Sequence, residues 1–188
     1  MELQEVKKAL GEEFGDGVLS SSTFRGELNV SIPREAVAKV AEFCRDSLQF
    51  NFLLDISSVD NAGEDPRFEM VYELYSLETH LHLRLKCTVP EDDAAVDSVV
   101  GVWPTANWHE REVWDMMGIR FHDHPDLRRI LMWEGYPFHP LRKEFPLAGK
   151  PSEMPDVAFT GTAPLEGGPF VTAPGSGAAD REPRSRGA

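Results

Sequence analysis

Apolar residues fall at Leu3, Val6, Leu10 and Phe14, a helical spacing, and Gly15-Asp16-Gly17 closes the repeat. From Val18 to Ile32 the pattern turns extended, broken near Arg25-Gly26, with Leu28, Val30 and Ile32 alternating against polar neighbours. Pro33 opens a second helix to about Ser47, whose inner face carries Val37, Val40, Ala41 and Cys44. Period-two alternation then returns in Phe50, Phe52, Leu54 and Ile56, with a turn at Asn61–Pro66, and again in Phe68, Met70, Tyr72 and Leu74. After a tight connection near Glu78-Thr79, Leu81, Leu83, Leu85, Cys87 and Val89 alternate with His80, His82, Arg84, Lys86 and Thr88, which predicts a strand buried on one face. The order is α-β-β-α-β-β-β, an α+β fold with helices on one face of a mixed sheet. Pro90-Glu91-Asp92-Asp93 begins a crossover, Val96 to Trp103 is a short apolar element, and Pro104 leads into a further helix.

The stretch from Asn107 to Pro146 breaks this regularity. It holds three of the four Trp and four of the six His. Asn107 followed by Glu110 has the spacing of a capping box, and Gly118 supplies a left-handed stop. Trp108, Arg111, Glu112 and Asp115 share one helical face, with Arg111 and Asp115 spaced for an intrahelical ion pair. Beyond Gly118, Phe121 to Pro125 starts a turn, because Pro125 pushes His124 out of the helical region, and Gly135, Pro137, Pro140 and Pro146 impose a segmented, extended path. An arm carrying Trp133, Tyr136, Phe138 and Phe145 is expected to lie along something larger than itself.

Composition narrows the function classes. A chain of 188 residues with 41% apolar content forms one core and offers no apolar run long enough for a bilayer span. The first residues, MELQEVKKALGEEFG, lack an apolar signal core, so cytoplasmic residence is expected. The net charge of −13 argues against nucleic acid and against anionic lipid as partners of the bulk surface. Between Arg120 and Lys143, however, five Arg or Lys stand against three acids, interleaved with aromatic residues, a pattern of partner contact more than of a solvated loop. Residues 151–188 hold six Gly and six Pro with little periodicity, so this tail reads as disordered or draped on a partner, with Phe159 and Phe170 as candidate anchors.

Catalytic chemistry finds little support. Cys44 and Cys87 are far apart, too few for an iron–sulfur cluster and without a disulfide framework. His109, His122, His124 and His139 with nearby carboxylates are a pool of metal ligands, but His109-Glu110 is followed by Val113 where a helical zinc motif needs its second His. His80 and His82 share a face and are better explained as solvated strand residues. Phosphate-binding glycine loops and nucleophile motifs are absent from the sequence.

Glu110-Arg111-Glu112, Asp115, Gly118-Ile119, Phe121, His124 to Leu131 and Pro140-Leu141-Arg142-Lys143 together resemble the signature of the 30-kDa subunit of respiratory complex I, the C-type subunit of the bacterial enzyme. The likeness extends more weakly upstream to about residue 24 and departs at Trp133–His139, where the family's link is shorter. The resemblance implies a non-catalytic subunit of the peripheral arm of a proton-translocating NADH:quinone oxidoreductase. FMN and iron–sulfur clusters would reside in partner subunits, with no cofactor, metal or catalytic residue in this one. It implies a place beside the larger 49-kDa-type (D-type) subunit, with the B-type and I-type subunits nearby, peripherally on the cytoplasmic side of the cell membrane. The chain is expected as a free-standing subunit with three segments. These are an α+β domain over 1–104, a signature helix and interaction arm over 105–149 within the same structural unit, and the tail over 150–188. Glu110, Arg111, Glu112, Asp115, Gly118, His124, Pro125, Arg128, Arg129, Pro140, Leu141, Arg142 and Lys143 are the expected interface residues. Charge reversal of Arg128 or Arg129 is expected to block assembly while leaving the isolated domain folded. Three alternatives are the equivalent subunit of an energy-converting hydrogenase or related dehydrogenase, an independent metal-dependent enzyme, and a soluble regulator acting alone.

Overall fold

The structure, a computed structural model, describes residues 2–146; the expectations for the tail, including Phe159 and Phe170, lie outside the described residues. Residues through Arg142 form one compact unit, and Lys143 begins a second. Helix α1 (Leu3–Phe14) turns Val6 and Leu10 inward and is closed at its start by a Glu2–Glu5 capping box. Strands β1 (Ser20–Phe24) and β2 (Glu27–Ser31) form a hairpin, with Arg25 and Gly26 at positive φ where the sequence breaks. A short 3-10 turn at Arg34–Ala36 precedes α2 (Val37–Asp46), which buries Val37, Val40, Ala41 and Cys44 as its spacing predicts. Strands β3 (Phe52–Asp60), β4 (Phe68–Tyr75) and β5 (His82–Val89) complete a five-stranded sheet ordered β1-β2-β5-β4-β3. Only the β2–β5 pairing is parallel, so the sheet is mixed, and the α+β fold class holds.

One face of this sheet carries the core. Leu83, Leu85, Cys87 and Val89 of β5 meet Phe68, Met70, Tyr72 and Leu74 of β4, all 2% exposed or less. Burying side chains of this size contributes roughly 1.5–3 kcal/mol each. The opposite face is a ladder of ions. Arg84 pairs with Glu73 and reaches Glu27 at 3.1 Å, and Lys86 reaches Glu69 at 2.7 Å.

Strand β3 corrects the predicted alternation. Leu53 and Ile56 are buried while Phe52 and Leu54 are 44% and 40% exposed, because the β3–β4 register shifts between Leu53 and Asp55. A bulge adds one residue to the strand, so the inward set before it changes parity. His80 also leaves the strand assigned to it. It sits in the β4–β5 turn at φ +58°, its Nδ1 2.9 Å from the Tyr75 hydroxyl.

After β5 the chain forms β6 (Ala95–Asp97), then α3 (Ala106–Met117), then β7 (Arg120–His122), which pairs in parallel with β6. The stretch read as a turn from Phe121 thus begins as a strand, with Phe121 buried at its centre. Helix α3 packs against the edge strand β3, and the Trp103 indole N–H donates to the Phe50 carbonyl at 3.2 Å.

Candidate functional site

Helix α3 does not start as the capping pattern predicts. It begins at Ala106 after Thr105, without a side-chain cap, and its first N–H groups go instead to upstream carbonyls. Ala106 donates to Trp103, Asn107 to Pro104 and Trp108 to Thr105. The Trp103-Pro104-Thr105 turn therefore does what Asn107 was expected to do, and Glu110 is released for another task. Its side chain is fully buried; Oε1 accepts the Val99 N–H and Oε2 the Ser98 hydroxyl, both at 2.7 Å. Burial pushes this carboxyl up to about 7, against the two hydrogen bonds.

The His124 side chain, also fully buried, closes the same corner, with Nε2 3.9 Å from Glu110 Oε2. Its Nδ1 accepts the Asp126 N–H at 3.0 Å, so the ring proton lies on Nε2 and points to the Asn107 carbonyl at 3.3 Å. Burial lowers the affinity of this ring for a second proton. Glu110 and His124 thus tie the loop after β6 and the turn after β7 to one helix.

Asp115 is the second centre, fully buried one and a half turns further on. It does not pair with Arg111. Its Oδ1 takes Arg129 at 2.5 Å, and its Oδ2 accepts three consecutive N–H groups, from Ile130 (3.0 Å), Leu131 (2.7 Å) and Met132 (2.8 Å). Successive N–H groups pointing at one anion form a nest. Burial opposes ionisation here, but the Met132 N–H, the Arg129 guanidinium and the Ile130 and Leu131 N–H groups outweigh it and hold the carboxyl below its ordinary range. Arg111 turns instead to the Arg128 and Arg129 carbonyls, at 3.1 and 3.2 Å, with its guanidinium 5.1 Å from the centre of the Trp108 ring.

The last turn of α3 exposes carbonyls that a helix cannot satisfy itself. Residues 129–142 supply the partners. Arg129 and His139 donate to the Asp115 carbonyl at 3.0 and 3.1 Å, the Leu141 N–H to Met116 at 3.1 Å, and Arg142 to Met117 at 2.7 Å. Cations at this end also complement the helix dipole. Gly118, at φ +77°, ends the helix in the left-handed region and leaves the room these side chains occupy. A Cβ there would stand 2.6 Å from His139 Nε2 and 2.7 Å from Arg142 Nη2.

This arrangement corrects the picture of an open arm. Tyr136 is buried, its carbonyl takes Arg129 at 2.5 Å, and its ring lies edge-on to Trp133 at 4.5 Å and to Phe138 at 5.6 Å. The rings pack on each other because the nest and the helix end draw the chain into a compact wrap. Of the expected interface residues, Glu110, Asp115, His124, Arg129 and Arg142 are committed to this brace, and Arg111 and Gly118 support it. Facing outward are Glu112, Pro125, Arg128 and Lys143, with Leu141 57% exposed and Pro140 half-buried beside it. Arg128 pairs with Asp126 at 2.6 Å. Trp108 and Leu131, 60% and 61% exposed, stand with the outward group.

Ser98, Val99 and Tyr136 are members of the brace that sequence reasoning missed. Two of the three act through backbone atoms, which leave no side-chain signature. Among the described residues no three His, Cys, Asp or Glu side chains converge as metal ligands. Burial pushes the Cys44 thiol up beyond its ordinary range and the Cys87 thiol up to about 12, so neither is a ready nucleophile. No helix among the described residues is long and apolar enough to cross a membrane.

A chain so organised has relatives. The C-type subunit of NADH-quinone oxidoreductase from Geobacter sulfurreducens is 48% identical over 145 residues, covering 77% of this chain and 90% of that one. Its counterpart from Rhizobium etli, the second of that type in name, is 48% identical over 160 residues, covering 82% and 83%. Among solved structures, a trypsin-resistant fragment of Nqo5 superposes with a TM-score of 0.58 at 33% identity, covering 65% of this chain and 98% of the fragment. A chain of an archaeal membrane-bound sulfane sulfur reductase shares the fold at a TM-score of 0.68 and 23% identity, covering 77% and 85%. The model of the respiratory-chain NADH dehydrogenase 30-kDa subunit matches residues 30–151, which run from the end of β2 through α2, β3 to β5, α3 and the brace, and the chain belongs to that family.

Proposed function

We propose that this chain is a non-catalytic structural subunit of the peripheral arm of a proton-translocating NADH:quinone oxidoreductase. In that assembly electrons pass from NADH through FMN and iron–sulfur centres of partner subunits to quinone. The observation that carries the reading is the likeness to C-type subunits of NADH-quinone oxidoreductase, over 77% of this chain and 90% of the relative from Geobacter sulfurreducens. The geometry agrees with a scaffold. The buried carboxyl groups of the signature are met within the chain, Glu110 by Ser98 and Val99 and Asp115 by four donors, and neither is left open toward solvent to meet a substrate. What remains outward is contact chemistry: Trp108, Arg128, Leu131 and Leu141. The chain holds no cofactor of its own in this reading. It docks beside the 49-kDa-type subunit, with the B-type and I-type subunits nearby, and lies peripherally on the cytoplasmic face of the cell membrane.

A tagged chain recovered from detergent-solubilised membranes tests this. Co-purification of flavin, iron–sulfur and quinone-site subunits with NADH:quinone activity is the expected result. Recovery with a nickel hydrogenase set would assign the chain to a related energy-converting machine, and recovery alone would overturn the scaffold reading.

A further inference from the structure

Strand β3 and helix α3 do not close on each other completely. Between them runs a groove of about 120 Å³, floored by Ile56, Val113, Met116 and Met117, all buried. Its rim is Asp55 and Ser57 on the strand and Glu112 on the helix, with Leu141 beside it. A cavity of about 150 Å³ lined by apolar groups accepts a benzene ring, so this groove is the size of one apolar side chain. Two adjacent methionines make its floor adaptable to the shape of that side chain.

The rim has one sign. Glu112 is exposed and makes no hydrogen bond or ion pair among the described residues, whereas Glu110 and Asp115 on the same helix are saturated. Asp55, half exposed, stands 3.1 Å from the His109 Nδ1. Apolar surface continues on both banks, with Trp108 one helical turn before Glu112 and Phe52 and Leu54 outward on β3.

The geometry points to one occupant: a segment of a neighbouring subunit that inserts a single apolar side chain into the groove and sets a Lys or Arg on either side of it against Asp55 and Glu112. The groove deepens the scaffold reading above and rests on it, since the segment belongs to the same assembly. An apolar anchor ringed by opposite charges gives affinity through burial and selectivity through the charges. An acidic or purely polar segment is rejected by the same rim.

The test uses the assembled complex. A photoreactive phenylalanine analogue is placed at Ser57 or Glu112, and at Thr23 on the far edge strand as a control. In membranes that retain the full set of subunits, the first two positions should give an adduct with one other subunit and Thr23 should give none at the same site. Peptide mapping should place the adduct beside an apolar residue with Lys or Arg within three positions. Glu112→Lys should lower co-purification of that subunit at least tenfold, while Glu112→Asp should retain it. Because Glu112 is exposed, the melting curve of the Glu112→Lys chain should be unchanged. With the wild-type complex intact, the groove proposal is overturned by absence of the adduct, by mapping to an acidic or uncharged stretch, or by an adduct to the same chain or to a second copy of it. Unaltered assembly in Glu112→Lys overturns it too. If the wild-type chain recovers no other subunit, the scaffold reading fails first and the groove proposal falls with it.

Discussion

Two carboxylates one and a half helical turns apart show how burial and hydrogen bonding divide one chemistry into two behaviours. Asp115 remains ionised because four donors meet it, and removing its charge strands Arg129 and the nest together. Asp115→Asn should cost about 3–5 kcal/mol in the denaturant unfolding of the purified chain, whereas Glu112→Gln on the solvent side should change it by less than about 0.5 kcal/mol. The stability contributed by Asp115 is present above its ordinary titration range and is lost as pH falls through its lowered folded value. Glu110 runs the other way. Its raised value means that the contribution of the neutral acid is complete below about 4.5 and is lost as pH rises through about 7. Wild type should therefore lose stability across that interval relative to Glu110→Gln, by on the order of 3 kcal/mol. Parallel pH–stability curves for the two proteins would show that the Glu110 carboxyl does not carry this titration.

At the scale of elements, the regular part of the fold was legible because its signal is periodic. Val37, Val40, Ala41 and Cys44 face inward on α2, and β5 alternates as read. The misreadings share a different cause. The bulge in β3 is one residue of register, set by pairing with β4, and Phe52-Leu53-Leu54 offers apolar side chains to either face. The start of α3 was misassigned because backbone carbonyls of a Pro turn substitute for a cap that Asn107 could also have provided. The Arg111–Asp115 pairing was plausible by spacing and lost to the three N–H groups of residues 130–132, a competitor with no side-chain identity to read. Gly118 was legible for the right reason, and the structure adds a second one. Gly118→Ala should destabilise by about 1–3 kcal/mol, from left-handed strain together with displacement of His139 and Arg142. A thermal midpoint unchanged by that substitution would show that the wrap yields without cost.

Across the whole molecule, the brace decides which charge reversals reach the assembly and which never leave the subunit. Arg128 and Arg129 were equivalent in sequence and are not equivalent in space. Arg128 is largely exposed, so Arg128→Glu should leave the purified chain folded and be read in co-purification of partner subunits. The Arg129 side chain is only 12% exposed and bridges Asp115 to Tyr136, so Arg129→Glu should lower the melting temperature of the chain by itself. Equal melting curves for the two variants would contradict this division.

The concentration of anchors on the last turn of α3 also sets an order of events. Residues 129–142 fasten to the Asp115 carboxylate and to the carbonyls of Asp115, Met116 and Met117, so they have no landing point until the helix is wound to its end. The wrap then behaves as a late cooperative unit, and the amide protons of Ile130, Leu131 and Met132 should exchange with solvent at one shared opening free energy. Residues 129–142 should settle last and all at once, on a helix that is already complete.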